Sequence, residues 1–543
     1  MPKNPLKRLL NSTSTGVASA ALVIGLMSIA SRFLGILRDH ILASTFGASQ
    51  SLDIYYAAFR LPDLVFNLLV LGALSAGFIP VFTRLINNDN EHKEAWKLAS
   101  NILNTLSVGL LIVCGLGIIL APWLVNIIAP GFPPEARSLI VVLTRIMFLS
   151  PIFLGLSSIV GGILQSFNRF FVYSLSPVFY NLGIIFGAMF LVQHFGIFGL
   201  AWGVVIGSFL HFAVQLPSLF KLGFKFNFFI DWRDKALRTV YGMMTARTMG
   251  LAVTQINLTV ITIIASGLPV GSLSVFNLAN NLQSFPVGLF GVSFAIAVFP
   301  RLSAANTDES FINHFSRTFR QIMFFVIPAT IALIVLRAQI VRVILGSGKF
   351  NWQDTVMTVN TVGFFALSLF AQATAPLLAR VFYAKHDSKT PFYVGLFSDG
   401  LNVILALWLI KSLGVIGLAI AFSISAIFDF LLMFIVLRMR IGYLDEKRIF
   451  VSSIKCVVAG LAMALGIQAM KLLVWPYVDM TRLWGVLSQG FLAGLFGLII
   501  YLAICSLLKS EEFIELWASS KIKLRDTIKS LKNSDDQSEA RGI

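Results

Sequence analysis

The chain has 543 residues, of which 57% are hydrophobic and only 12% are charged, and its formal net charge is +17. A soluble domain carries about 25% charged residues, and a single hydrophobic core stops growing near about 250–300 residues. The composition therefore excludes an ordinary soluble protein. The apolar residues fall in blocks of about 20, which is the length that crosses a bilayer as a helix, so we predict an all-α membrane protein.

Three further classes of site are excluded by the pattern of residues. Cys114, Cys456 and Cys505 all lie in apolar blocks, so no disulfide framework is expected, and the six histidines lack zinc-binding spacing. The segment 346–349 reads GSGK, but it lacks the spacing of a phosphate-binding loop, and Phe350 stands where magnesium needs Ser or Thr. We expect an external turn there, no metal site and no ATP-driven pump.

The apolar blocks predict fourteen membrane spans. In chain order they are 17–46, 52–86, 97–124, 138–166, 174–193, 198–219, 238–266, 272–302, 314–345, 355–384, 391–411, 415–437, 450–473 and 483–508. The basic residues before Val17 precede a long apolar stretch without a small-residue cleavage site, so the first span is expected to be retained.

The distribution of basic residues orients these spans. With both termini in the cytoplasm, twenty-eight Lys and Arg residues fall on the inner side and seven on the outer side. The positive-inside rule therefore predicts cytoplasmic termini. We expect a cytoplasmic N-terminus (1–16), an N-lobe of spans 1–6 (17–219), a linker (220–237), a C-lobe of spans 7–12 (238–437), spans 13–14 (450–508) and a basic tail (509–543). The tail either lies on the anionic inner leaflet or extends into solvent.

Two short internal similarities indicate a duplication of six spans. Residues 51–61 (SLDIYYAAFRL) match 272–282 (SLSVFNLANNL) at an offset of 221, and 194–203 match 412–421 at an offset of 218. Because six is an even number, both halves keep the same orientation, and we expect a pseudo-two-fold axis along the membrane normal.

Charged residues within the first two spans are candidate functional groups, because ionisable residues in the bilayer are costly. Ser28, Arg32, Gly35 and Asp39 recur at helical spacing along one face of span 1, which also carries Arg38. Asp39 is the nearest carboxylate on the same face as Arg32. On span 2, Asp53, Tyr56 and Arg60 share a face. Arginines in a cavity suit a phosphate-bearing substrate. The alternative for Arg38, Asp39 and Asp53 is pairing or snorkelling near the outer surface.

Polar but uncharged stripes mark the corresponding spans of the second half. Asn277, Asn281 and Ser284 share a face of span 8, and Gln255 belongs to a polar face of span 7. We expect these faces to meet those of spans 1 and 2 around one water-filled cavity between the lobes. Asp399 on span 11 is a further intramembrane acid of the kind that a coupling cation would need.

Several motifs together resemble the MurJ/MviN family of lipid II flippases. They are SRFLGILRD (31–39), Asp53 with FRLP (59–62), APGF (129–132), NRF (168–170), GKF (348–350) and SKTP (388–391). The resemblance covers spans 1 to 12 in order. It implies the fold of the multidrug/oligosaccharidyl-lipid/polysaccharide flippase superfamily, with two six-helix lobes around a cavity and two extra helices that form a lipid-tail groove. It also implies that Arg32, Arg38, Asp39 and Asp53 match positions important in the family, and that Arg60 stands where a basic residue is usual.

The chain departs from the family pattern at three places. Phe66 and Asn67 stand where the family often has two arginines, and Asn281 and Ser284 stand where it often has an arginine and a glutamate. Some members bind sodium through acids on spans 7 and 11, and Ile261 and Ala406 occupy the matching positions here. Asn402 and Asp399 remain nearby as candidate cation ligands.

We therefore predict a flippase, not an enzyme, that moves lipid II from the inner to the outer leaflet of the bacterial cytoplasmic membrane by alternating access. Its substrate-binding residues are expected to be Arg32, Arg38, Asp39, Asp53, Arg60, Gln255, Asn277, Asn281 and Ser284. The alternatives are a flippase of another polyprenyl-linked glycan, a cation-coupled multidrug exporter, or a scaffold for the cell-wall synthesis machinery. We expect no cofactor beyond a coupling cation or the membrane potential, no nucleic acid, and membrane lipids and cell-wall enzymes as further partners.

Overall fold

The computed structural model describes residues 17–88, 92–305 and 307–518, without the side chains of 17–22, 71–76 and 245–251. All regular secondary structure in these ranges is helical. This confirms the all-α fold class. The predicted N-terminal segment (1–16) and most of the basic tail (509–543) lie outside the described residues.

The helices of the first half begin with α1 (Val17–Phe46), α2 (Gln50–Phe66), a π-helical segment (Asn67–Leu71), α3 (Gly72–Asn88), α4 (Lys93–Ile128), α5 (Pro134–Met147) and α6 (Ser150–Ser166). They continue with α7 (Phe170–Phe186), a second π-helical segment (Gly187–Leu191), α8 (Val192–Phe195), α9 (Phe198–Ala213) and α10 (Leu216–Lys221).

The second half begins with α11 (Lys235–Ser266), α12 (Ser272–Pro286), a third π-helical segment (Val287–Val292), α13 (Ser293–Ser303), α14 (Asp308–Val335) and α15 (Arg337–Ile344). It continues with α16 (Trp352–Ala366), α17 (Leu369–Ala384), α18 (Lys389–Leu413), α19 (Val415–Ile441), α20 (Glu446–Val474), a 3₁₀ turn (Trp475–Tyr477) and α21 (Leu483–Leu507). Residues 511–518 are also helical.

Helices occupy every predicted span, but not all of them are unbroken. Within the described residues, ten helical stretches are long and apolar enough to cross a membrane. The pair α16 and α17 is bent by 46° and would make an eleventh span if it crosses as one. The chain is thus a multi-pass membrane protein by length and composition, while the count of fourteen spans stays a prediction.

Two of the helix irregularities follow prolines. Pro62 lies inside α2, and the chain turns π-helical five residues later at Asn67. Pro286 ends α12 directly before the third π-helical segment.

The contacts divide the chain into two compact units. The first comprises Met1–Leu282, Ile344–Thr361 and Gly395–Ser425, and the second comprises Gln283–Val343, Val362–Val394 and Ala426–Ile543. The first has a core around Phe78, Phe82 and Leu98. The second has a core around Met463 and Tyr501, where α14, α20 and α21 pack. The predicted lobes and their two-fold relation stay a prediction.

Candidate functional site

The charged end of α1 is built around an ion pair between adjacent residues. Arg38 donates to Asp39 Oδ1 from Nε at 3.0 Å and from Nη2 at 2.8 Å, and its Nη1 donates to Asn181 Oδ1 on α7 at 3.3 Å. Asn281 Nδ2 on α12 donates to Asp39 Oδ2 at 3.0 Å. Asp39 is only 5% exposed, so its charge depends on these donors. The structure thereby brings together three predicted site residues and adds Asn181, which the sequence analysis missed.

Arg32 lies further along α1 and is half-buried. The sequence suggested Asp39 as its nearest carboxylate, but Asp39 pairs with Arg38 instead. Arg32 makes no hydrogen bond or ion pair with any residue in the described part of the chain. A half-buried guanidinium without a protein partner needs water or an anion to satisfy its donors.

Arg60 on α2 reaches across to α11. Its Nη2 donates to Gln255 Oε1 at 2.6 Å, its Nε donates to Thr259 Oγ1 at 3.4 Å, and its Nη1 lies 3.6 Å from Asp63 Oδ2. The side chain of Arg60 is 14% exposed. Asn67 donates to Asp63 Oδ1 at 2.9 Å. Asn67 stands at a position where the family often has an arginine. Its side-chain amide is hydrogen-bonded to Asp63, the ion-pair partner of Arg60.

The carboxylate of Asp53 on α2 is bound by hydrogen-bond donors at the N-terminal end of α12. Its carboxylate accepts hydrogen bonds from the backbone N–H of Gly271 at 2.6 Å, and from the backbone N–H and the hydroxyl of Ser274 at 2.7 and 2.5 Å. These donors lie at the N-terminal end of α12, where unpaired N–H groups and the helix dipole favour a negative charge. Asp53 is 4% exposed and joins α2 to α12. The structure does not bring it to Arg32, Arg38 or Arg60 within the described residues.

The remaining predicted residues on α12 are less strongly engaged. Asn277 Nδ2 donates to the carbonyl of Leu273 one turn earlier at 2.8 Å, and its side chain is half-buried. Ser284 is exposed. Among the described residues, Tyr56 on α2 has a buried hydroxyl that makes no hydrogen bond. Tyr56 shares the helical face of Arg60, so its hydroxyl is a further candidate ligand for a polar group.

The candidate cation ligands meet a third residue that the sequence analysis did not select. Asn257 Nδ2 on α11 donates to Asp399 Oδ1 at 2.7 Å, and Asn402 Nδ2 donates to Asn257 Oδ1 at 3.2 Å. Asn402 is 1% exposed, and its Oδ1 has no hydrogen-bond partner within the described chain. The sequence could have indicated Asn257, because it is a single amide within an apolar run of span 7. Ile261 and Ala406 are both buried and supply no oxygen ligand.

Two of the family-like motifs form turns that pack against helix ends. The backbone N–H of Lys349 donates to the carbonyl of Ser44 at 2.8 Å, and Gly348 has a φ of 59° with Ser44 directly beside its Cα. A side chain at Gly348 would therefore be strained and would collide with α1. In the APGF motif, Gly131 N–H donates to Ser266 Oγ at 3.1 Å.

Comparison with known proteins identifies the family. The family profile described as "Lipid II flippase MurJ" matches residues 42–503, which is most of the chain. The chain belongs to the lipid II flippase MurJ family. The matched range includes Asp53, Arg60 and all the predicted site residues of α11 and α12. It begins at residue 42, so it does not include Arg32, Arg38 or Asp39.

Individual relatives agree with this assignment. The chain is 32% identical to the probable lipid II flippase MurJ of Buchnera aphidicola, over 76% of this chain and 81% of that relative. It is 30% identical to the probable lipid II flippase MurJ of Vibrio cholerae, over 92% and 96% of the two chains.

Solved structures show the same fold. A lipid II flippase MurJ in an inward closed conformation aligns with a TM-score of 0.73 and 27% identity, covering 89% of this chain and 98% of that one. An inward-facing multidrug resistance MATE transporter of the MOP superfamily aligns with a TM-score of 0.65 and 17% identity, covering 76% and 96%. The second match supports the predicted superfamily fold.

Proposed function

We propose that this chain moves lipid II from the inner to the outer leaflet of the bacterial cytoplasmic membrane, so that it can be used for cell-wall synthesis. Membership of the lipid II flippase MurJ family supports this proposal, as do the near 30% identities over most of the chain. The chain crosses the membrane fourteen times, in two six-helix lobes with two added helices, and both termini lie in the cytoplasm. No bond of the lipid is made or broken.

The observation that carries the proposed binding mode is the guanidinium of Arg32, which has no hydrogen-bond or ion-pair partner among the described residues. It lies on the same helix as the Arg38–Asp39 pair, and Arg60 extends from the neighbouring α2. In this proposal Arg32 binds a pyrophosphate oxygen of lipid II through two parallel hydrogen bonds, since a guanidinium fork matches phosphate geometry. Arg60 adds a second positive charge whose protein ligands are mostly neutral.

The acids and amides have supporting roles in this scheme. Asp39 keeps Arg38 oriented, and Asn281 and Gln255 hold the charged groups from α12 and α11. Asn277 and Ser284 line the same face of α12 and contact the sugar or peptide of the headgroup. Asp53 keeps the start of α12 against α2 and serves the site by positioning it.

The lipid tail and the energy source complete the proposal. The polyprenyl chain stays in the bilayer along α20 and α21, whose outward residues include exposed Leu465 and Phe491. Alternating access is driven either by a cation bound near Asp399, Asn402 and Asn257 or by the membrane potential. Cell-wall synthesis enzymes are the expected partners that consume the lipid.

Growth complementation tests the role of Arg32. In bacteria depleted of their own lipid II flippase, Arg32→Gln should reach the membrane at normal levels yet fail to support growth. Arg32→Lys should fail as well, because an ammonium group keeps the charge and loses the planar fork. Arg145→Gln is the matched control, since Arg145 is an exposed arginine on α5 that donates to the carbonyl of Ile118. Full growth with Arg32→Gln would refute the binding mode.

A further inference from the structure

The linker between α10 and α11 is fastened to α4 by two buried asparagines. Asn104 Nδ2 donates to the carbonyls of Asn227 at 2.8 Å and Phe229 at 2.9 Å. Asn101 donates to the carbonyl of Asp231 and accepts from its N–H, both at 2.9 Å. Asn101 and Asn104 are 0% and 2% exposed. The backbone of the linker is therefore held against the helix, Phe224 packs into the core, and three large aromatic side chains point away.

Those outward side chains are aromatic. Phe226, Phe228 and Trp232 are 59%, 77% and 59% exposed, which would be unfavourable on a loop surrounded by water. Aromatic residues concentrate where a membrane protein passes from the lipid headgroups into the hydrocarbon. Because the linker directly precedes α11, we assign its three exposed aromatic residues to such a belt.

A cavity of about 530 Å³ opens beside this linker, between α4, α11 and the first π-helical segment. Its walls include Leu69, Leu106, Leu110, Met244, Tyr241 and Trp232. The one hydroxyl pair in the wall is already satisfied, because Tyr241 donates to Thr105 Oγ1 at 2.9 Å. Among the described residues, the cavity thus presents mainly hydrocarbon surface.

The cavity lies where lipid chains begin. Residues 108–125 of α4 contain no charged or amide side chain, whereas Asn101 and Asn104 lie just before them. The cavity lining runs along α4 from Thr105 to Val113, a rise of about 12 Å into this apolar stretch. An acyl chain bound in this cavity would therefore run alongside the apolar stretch of α4.

Basic residues follow Trp232, which lines the cavity. Arg233, Lys235 and Arg238 are all exposed and adjoin Trp232 in sequence, and Arg238 Nε donates to the carbonyl of Trp232 at 2.9 Å. Lysine and arginine near a membrane surface attract anionic lipids and bind phosphate oxygens. The apolar cavity, the aromatic rim and the basic edge occur in the order of the parts of one phospholipid.

We propose that this cavity binds an anionic phospholipid, with one acyl chain between α4 and α11 and its phosphate against Arg233 and Lys235. The site is distinct from the charged faces assigned to lipid II and from the lipid-tail path along α20 and α21. The bound lipid fills the space beside the hydrogen bond from Tyr241 on α11 to Thr105 on α4, and so stabilises the linker that precedes α11.

A glycine on α4 allows the cavity to be filled selectively. Gly109 lines the cavity, and a Cβ added there would meet no atom within 4 Å. Gly115 on the same helix has equally open space but does not line the cavity, so Gly115→Leu is a matched control. Native mass spectrometry of the delipidated protein with added phosphatidylglycerol measures the lipid bound. Gly109→Leu should weaken binding by about tenfold or more, since each displaced methylene is worth about fourfold, and Gly115→Leu should not.

Recognition of the headgroup and the identity of the bound lipid are tested in separate experiments. Arg233→Gln with Lys235→Gln should abolish the preference for phosphatidylglycerol over phosphatidylcholine and leave binding of the chain intact. If Gly109→Leu does not elute as a folded protein, Leu69→Phe narrows the cavity from the opposite wall and should have the same effect. Unchanged lipid binding in the folded cavity variants would overturn the proposal. Tighter binding of a polyprenyl phosphate than of phosphatidylglycerol, lost in Gly109→Leu, would overturn the assigned occupant.

Discussion

The guanidinium of Arg60 donates a 2.6 Å hydrogen bond to the amide oxygen of Gln255, although the two residues lie 195 positions apart in the chain. The contact joins α2 to α11. Because Gln255 is neutral and the oxygen of Asp63 lies 3.6 Å away, Arg60 is held in place with its positive charge only partly compensated. An arginine fixed in this way is prepared to bind an anion without further ordering.

Arg60 and Asn281 should differ in their importance for transport. They occupy equivalent places in the predicted internal repeat, but only Arg60 is charged. Arg60→Ala should abolish growth complementation, whereas Asn281→Ala should only weaken it, since Asp39 keeps its two hydrogen bonds from Arg38. Growth rate, normalised to the amount of protein in the membrane, measures both. Mild and equal effects would indicate that Arg60 has no special role.

Replacing one residue of the Arg38–Asp39 ion pair should lower the stability more than replacing both. Asp39→Asn leaves the Arg38 charge without its carboxylate, and loss of one partner of a buried pair costs about 3–5 kcal/mol. We expect Asp39→Asn to lower the thermal unfolding midpoint strongly, and Arg38→Gln with Asp39→Asn to recover most of the loss. A double variant as unstable as the single one would show that the two charges are not coupled.

Asp53 should behave as a structural residue. Asp53→Ala removes the acceptor for three hydrogen bonds at the start of α12, and loss of a helix cap costs about 1–2 kcal/mol. The thermal midpoint should fall and the amount of protein in the membrane should drop, while Ser274→Ala, which leaves two of the three donors, should have a smaller effect. A stable Asp53→Ala protein that fails to support growth would instead restore the substrate-binding role predicted from the sequence.

The sequence predicted which helix faces are polar better than it predicted which residues contact those faces. A 3.6-residue period placed Arg60 and Gln255 on polar faces, and the structure joins them. The same period could not locate Asp53 at the first turn of α12, because a helix terminus depends on distant chain packing. Asn101, Asn104 and Asn257 were missed for a related reason. Each is a single amide whose partner lies more than 120 positions away, so no local pattern marks it.

Asp387 in the turn before α18 should contribute stability that depends on pH. Partial desolvation opposes its ionisation, but hydrogen bonds from Thr390 and Lys389 and the charge of Arg440 outweigh that effect and lower its pKa. A lowered pKa means that the contribution is complete above the unfolded value of about 4 and is lost as the pH falls below it. Asp387→Ala should lower the thermal midpoint at pH 7, and the difference from wild type should shrink in acid. A difference that persists at low pH would contradict this assignment.

Membrane orientation can be tested with introduced cysteines, because Cys114, Cys456 and Cys505 are all buried. Asn351 and Ser388 are exposed and lie in turns on opposite sides in the proposed topology. In intact cells, a membrane-impermeant maleimide should label Asn351→Cys but not Ser388→Cys. Lysed cells provide the control, in which both should react. Labelling of Ser388→Cys alone in intact cells would reverse the orientation.

The most direct test of the central claim is the accessibility of lipid II at the outer surface of the cytoplasmic membrane. In spheroplasts whose only lipid II flippase is this chain, an enzyme that cleaves lipid II is added outside, and the cleaved fraction is measured. We predict cleavage with the wild-type chain, and protected, accumulating lipid II with Arg32→Gln at equal protein levels. If lipid II is cleaved equally when this chain is depleted, while another polyprenyl-linked glycan accumulates inside, the assignment of lipid II as the substrate is wrong.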